Sequence, residues 1–101
     1  MDEETLRIFL SLAGTLHFGR ASKQVHKSPS AVSRTLTRLE EQLGQTLFER
    51  DNRRVKLTPQ GELFQRYASE SLARLDELKQ SLKLGNESLR GSIAVFASVT
   101  A

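Results

Sequence analysis

The chain has 101 residues, no cysteine and a formal net charge of +3. That length allows one small domain with an appendage and only a marginal core, so association with a second chain is plausible from the start. Disulfides, thiolate metal sites and a catalytic thiol are excluded, and His17 and His26 alone cannot close a metal site, so neither metal nor cofactor is expected.

Charge is unevenly spread. No acid lies between Glu4 and Glu40, a stretch that holds Arg7, Arg20, Lys23, Lys27, Arg34 and Arg38. Arg50, Arg53, Arg54 and Lys56 follow as a second basic group, and acids and bases balance from residue 61 onward. The positive field therefore belongs to the first sixty residues, as in a polyanion binder. No apolar run approaches the roughly 18 residues of a membrane span, and MDEETLR is unlike a signal peptide, so a cytoplasmic location is expected.

Residues 3 to 14 read as a first helix with Leu6, Phe9, Leu10 and Ala13 inward. Asp2, Glu3 and Glu4 complement its dipole, and Gly14 is the expected stop. Phe18 to Val25 reads as a second, short helix with Phe18, Ala21 and Val25 facing the core. Either His17 or Thr15 would cap it. A tight turn, His26-Lys27-Ser28, leads to a third helix, and two short helices so joined make a helix-turn-helix.

The third helix organises the rest. Ser28 is its expected cap, Pro29 fits its first position and Gly44 its end. Val32, Leu36, Leu39 and Leu43 form one apolar stripe, whereas Ser30, Ser33, Arg34, Thr37 and Arg38 share the opposite side. Hydroxyls beside guanidinium groups suit a negative surface studded with hydrogen-bonding edges, so this is read as a DNA-recognition helix. Arg34 has the donors for guanine O6 and N7, and Ser33 those for base or phosphate. Ser28, Ser30, Thr37 and Arg38 are assigned to phosphates, and Arg20 and Lys27 to added charge.

Thr46 to Arg50 and Val55 to Thr58 read as two short strands around the turn Asp51-Asn52-Arg53-Arg54. Such a hairpin is a wing with a basic tip, and must lean on the helices through Phe48 and Leu57. Thr58-Pro59 opens a long helix expected to stop at Gly85-Asn86, about 39 Å in all. Phe64, Ala68, Ser71, Leu75, Leu78 and Leu82 follow a heptad rhythm that calls for a second helix, most simply from another copy of the chain. Asn86 to Gly91 reads as a linker, and Ser92 to Ala97 as a strand without a partner. The expected division is 1–58 for the DNA-binding domain, 59–85 for the dimerisation helix, and 86–101 for a linker and the first strand of a further domain. The fold class is mainly α: a winged helix-turn-helix of three helices and a two-stranded wing, then a long helix.

Two segments, LRIFLSLAGTLHFGRASKQVHKSPSAVSRTLTRLEEQLGQTLFER and VKLTPQGELF, resemble the N-terminal part of LysR-type transcriptional regulators. HFGR, SPS, RDNR and SVTA look most like the branch that activates acetohydroxy acid isomeroreductase expression in branched-chain amino acid synthesis. The resemblance implies double-stranded DNA as partner, homodimers through the long helix, tetramers of full-length chains, and a ligand-binding domain that takes a small-molecule effector. It places Ser33 and Arg34 toward the major groove and Arg53 on the basic wing tip. Pro29 and Arg54 are counted with them in the DNA-binding set, and Arg53 is expected to enter the minor groove, where negative potential concentrates. Many members carry glutamine where this chain has Pro29-Ser30, so the base preference does not transfer. No residue pattern supports catalysis, and no enzyme is expected. The rival reading is a helical adapter that dimerises through residues 59 to 84 and binds an acidic protein.

Overall fold

The computed structural model describes residues 1–51 and 53–91, with side chains through residue 85. Among these described residues four helices and one hairpin follow in the order α1 (Glu3–Thr15), α2 (Phe18–Val25), α3 (Pro29–Leu43), β1 (Phe48–Arg50), β2 (Val55–Leu57) and α4 (Pro59–Gly91). This is the expected winged helix-turn-helix with a long following helix. The chain forms two compact units, Met1–Glu70 and Ser71–Ala101.

Helix α1 starts where Asp2 accepts the backbone N–H of Thr5 at 2.8 Å, beside the acids of its first turn. Its expected stop at Gly14 is corrected. The left-handed residue is Leu16, at φ 53°, whose N–H reaches Leu12 O at 2.7 Å. Thr15 supports this ending, because its hydroxyl donates to Ser11 O and receives the His17 N–H. A leucine in that region costs about 1–2 kcal/mol, so the surrounding bonds hold the turn.

The core of the first unit gathers Leu6, Ile8, Phe9, Leu12, Ala21, Val32, Leu36, Leu39, Leu47, Phe48, Phe64 and Ala68. Ile8 and Leu12 join the stripe read from the sequence, while Leu10 is only half-buried. Phe9 is central. It lies 5.3 Å from Phe48 and 4.8 Å from Phe64, ring centre to ring centre, so α1, the wing and the start of α4 meet on one side chain.

The hairpin is antiparallel, pairing Phe48 with Leu57, Glu49 with Lys56 and Arg50 with Val55. Each strand is shorter than expected, since Thr46 and Leu47 precede the ladder and Thr58 has another task. The Thr58 hydroxyl donates to Thr46 O at 2.6 Å and accepts the Gly61 N–H at 2.9 Å, capping α4. Gly61 is required here. A Cβ at that position would run into the Leu47 carbonyl oxygen and the Leu57 side chain.

Helix α4 differs from expectation at its end, continuing through Gly85 and Asn86 to Gly91. An interior glycine costs about 1 kcal/mol relative to alanine, and no proline follows to block the next turn. At 33 residues it spans about 50 Å. The strand expected over Ser92 to Ala97 lies outside the described residues.

Candidate nucleic-acid interface

Helices α2 and α3 are set by their ends. His17 caps α2, its Nδ1 accepting the Arg20 N–H at 3.1 Å, which decides between the two candidates. His26 closes α2 in the left-handed region at φ 56°, and the Lys27 N–H turns back to Ser22 O at 3.0 Å. Fully buried Ala21 leaves room for the neighbouring helices to pack closely. Ser28 Oγ then accepts the Ala31 N–H at 3.1 Å, with Pro29 at the first position of α3. At the other end Gly44, at φ 68°, takes a Schellman ending: Gln45 N–H donates to Glu40 O and Gly44 N–H to Glu41 O.

Burial divides α3 as its period demands. Val32, Leu36 and Leu39 are at most 1 % exposed, whereas Ser30, Arg34, Thr37 and Arg38 lie in the open. Ser33 is half-buried along the edge next to the wing. Arg38 lies on the other edge, bordering a cleft that Asp2, Thr5 and Thr35 also line. Ser28, Pro29, Arg20, Arg53 and Arg54 are exposed as well. Lys27 is exposed but not unopposed, because its Nζ lies 2.8 Å from Glu4 Oε1 and that carboxylate raises its pKa. Much of the charge assigned to Lys27 is therefore offset within the chain.

The wing meets α3 through two residues outside the set singled out from the sequence. Glu40 Oε2 accepts the backbone N–H groups of Leu47 at 2.7 Å and Phe48 at 3.2 Å. Arg50 of β1 donates Nη1 to Ser33 Oγ at 3.3 Å and Nη2 to Glu40 Oε1 at 3.4 Å, with its guanidinium 5.2 Å from the centre of the Phe18 ring. In the sequence Glu40 was marked as the first acid after the long basic stretch and Arg50 as a member of the second basic group, but nothing joined the two. At the tip, Asp51 Oδ1 accepts the N–H groups of Arg53 and Arg54 at 2.8 and 2.7 Å, which holds its carboxyl below the ordinary value of 3.8. Both arginine backbones are fixed while their side chains stay exposed.

The residues assigned to dimerisation separate. Phe64 and Ala68 belong to the core of the first unit, at 9 % and 0 % exposure. Ser71 and Leu75 are half-buried, and Leu78 and Leu82 are 53 % and 59 % exposed. Leu63 and Tyr67, which the heptad reading passed over, are exposed and line an apolar groove with Leu43 and Leu47. Among the described residues no cluster of His, Cys, Asp and Glu could hold a metal ion, and no helix is long and apolar enough to cross a membrane.

The profile described as "Bacterial regulatory helix-turn-helix protein, lysR family" matches residues 4–62. The transcriptional activator IlvY of Salmonella typhimurium is 46% identical over all 101 residues, which span 34% of that protein. Among solved structures, the BenM DNA-binding domain in complex with its benA site 1 DNA superposes with a TM-score of 0.78 at 34% identity, covering 82% of this chain and 93% of that one. The CbnR DNA-binding domain with DNA gives 0.80 at 27% identity, covering 83% and 97%. The chain thus spans about a third of the curated relatives it matches. It belongs to the LysR family of bacterial regulatory helix-turn-helix proteins, regulators rather than enzymes, and carries the family's DNA-binding domain.

Proposed function

We propose that this domain reads a specific duplex sequence, with α3 in the major groove and the wing tip in the minor groove. One observation carries the reading. From Pro29 to Arg38 the outward face of α3 offers Ser30, Ser33, Arg34, Thr37 and Arg38 and no acid, exposed Glu41 joining that face only in the last turn, and the Arg50 contact to Ser33 sets the basic wing beside it. Arg34 would pair with guanine, while Ser28, Ser30, Thr37 and Arg38 would hold phosphates. Arg53 and Arg54 would enter a narrow minor groove, where negative potential concentrates. The DNA complexes of BenM and CbnR support such docking by a similar fold.

The same proposal makes the chain a homodimer through α4, with Leu75, Leu78 and Leu82 as the seam, so that two domains meet half-sites a turn of DNA apart or a multiple. The intact regulator would act in the cytoplasm, assemble as a tetramer and take a small-molecule effector in its remaining two thirds. Control of branched-chain amino acid synthesis follows from the resemblance noted above, with the IlvY relatives as support.

Salt dependence tests the reading. If one domain neutralises about four phosphates, log K should fall against log salt with a slope near −3.6. A slope near zero, or equal affinity for heparin and for the best duplex, would contradict it and favour an adapter that binds acidic surfaces.

A further inference from the structure

We propose that Arg50 is a positioning residue for Ser33, and that it commits the Ser33 hydroxyl to donate a hydrogen bond to an acceptor on a base edge. The proposal rests on the reading of α3 as the recognition helix.

The chemistry follows from which groups can accept. A guanidinium has donors only, so in the 3.3 Å contact Ser33 Oγ must be the acceptor. That occupies one lone pair and leaves the hydroxyl hydrogen without a partner among the described residues. The adjacent positive charge makes the second lone pair a poor target for the amino groups of cytosine or adenine. What Ser33 still offers is its O–H. The matching partners in the major groove are guanine O6 and N7, adenine N7 and thymine O4. An unconstrained serine would serve donors and acceptors alike. Arg50 therefore turns a tolerant contact into a selective one.

Arg50 is itself held on three sides. Phe18 of α2 lies under its guanidinium, Ser33 takes one terminal nitrogen and Glu40 the other. Glu40 is anchored in turn by the Leu47 and Phe48 amides. Ser33 and Glu40 are seven residues apart, two helical turns, and so share the edge of α3 that faces β1. The planar fork spans both. A lysine ammonium would supply charge but not the two-pronged geometry.

The test is binding selection from random duplexes by the intact chain, with anisotropy titrations on the selected sites and thermal melts. It compares the unmutated protein, Ser33→Ala, Arg50→Met, Arg50→Lys and the Ser33→Ala/Arg50→Met double variant. Arg50→Met should lower discrimination at the base pair read by Ser33 by about tenfold and admit amino-bearing edges there, leaving the other positions as selective as before. At that base pair the double variant should discriminate no worse than Ser33→Ala, and Arg50→Lys should recover part of the loss. If Arg50→Met weakens every sequence alike and keeps the selected profile, Arg50 is a phosphate anchor and the proposal is overturned. A lower melting temperature with an unchanged profile overturns it too, leaving a structural role only. So does a Ser33→Ala profile identical to that of the unmutated protein. Failure of the unmutated chain to select any sequence is a distinct result, which removes the recognition-helix reading and this proposal with it.

Discussion

Phe9 and Phe64 meet edge to face, their ring centres 4.8 Å apart and their planes at 88°. The contact sews the first turns of α4 to α1, so this part of the long helix belongs to the DNA-binding unit, which extends to Glu70. Phe64 cannot serve two masters. A side chain 9 % exposed in its own core has little surface left for a second chain.

Phe64→Ala should therefore act on stability before it acts on association. Emptying a buried phenylalanine site costs about 3–5 kcal/mol, including the lost edge-to-face pair with Phe9. Chemical denaturation should show that loss as a lower midpoint with little change in slope. An unchanged midpoint would mean that Phe64 is not part of the folded core.

Leu78→Asp should do the opposite. Leu78 is 53 % exposed in the single chain, so a carboxylate there leaves the folded unit intact. In a twofold interface each leucine counts twice, at roughly 1.5–3 kcal/mol apiece, and a charge adds a desolvation penalty. Sedimentation should show a dimer become a monomer, with weaker binding to paired half-sites and little change on one half-site. A fragment already monomeric at tens of micromolar would contradict the seam.

Glu40→Ala should strip three bonds at once: two backbone amides lose their acceptor and Arg50 loses one of its partners. Leaving buried donors unsatisfied costs about 1–3 kcal/mol. The melting temperature should fall, and exchange protection of the Leu47 and Phe48 amides should drop before that of α1. Equal protection in both proteins would show that those amides find another acceptor.

Acid should weaken the fold through Asp2 and Asp51. The hydroxyl and backbone N–H of Thr5 hold Asp2 below the ordinary carboxyl value of 3.8, and the Arg53 and Arg54 amides do the same for Asp51. A depressed folded-state pKa means stability that is present above the unfolded value and lost as pH falls through the folded one. Asp51→Ala should thus lower the melting temperature near neutral pH, by an amount that shrinks as pH drops below 3.8. Lys27 runs the other way: Glu4 raises its pKa, so its contribution is complete below 10.5 and fades at higher pH. A constant difference between Asp51→Ala and the unmutated protein across the acid range would contradict the assignment.

The third helix was legible because its signals agree: Ser28 caps, Pro29 starts, Gly44 stops, and the apolar stripe has one period. The end of α1 was not, because the left-handed residue is a leucine held by Thr15 and Ser11, and composition marks only the glycine beside it. The α4 seam is a related case. A heptad rhythm records that a face is apolar, not what covers it, and Phe64 and Ala68 are covered from within. The Glu40–Arg50 bridge joins residues ten apart across a turn of chain, and no period connects them.

The most direct test of the account is Arg34→Ala, measured by anisotropy on the selected site and on single-base variants of it, beside Lys27→Ala. Arg34 is exposed near the middle of the polar face of α3, whereas Lys27 is already paired with Glu4. Arg34→Ala should cost about 1–3 kcal/mol on the best site and flatten the preference at one base pair. Lys27→Ala should weaken all sites slightly and equally. If Arg34→Ala leaves the ranking of sites unchanged, α3 does not read the bases as described.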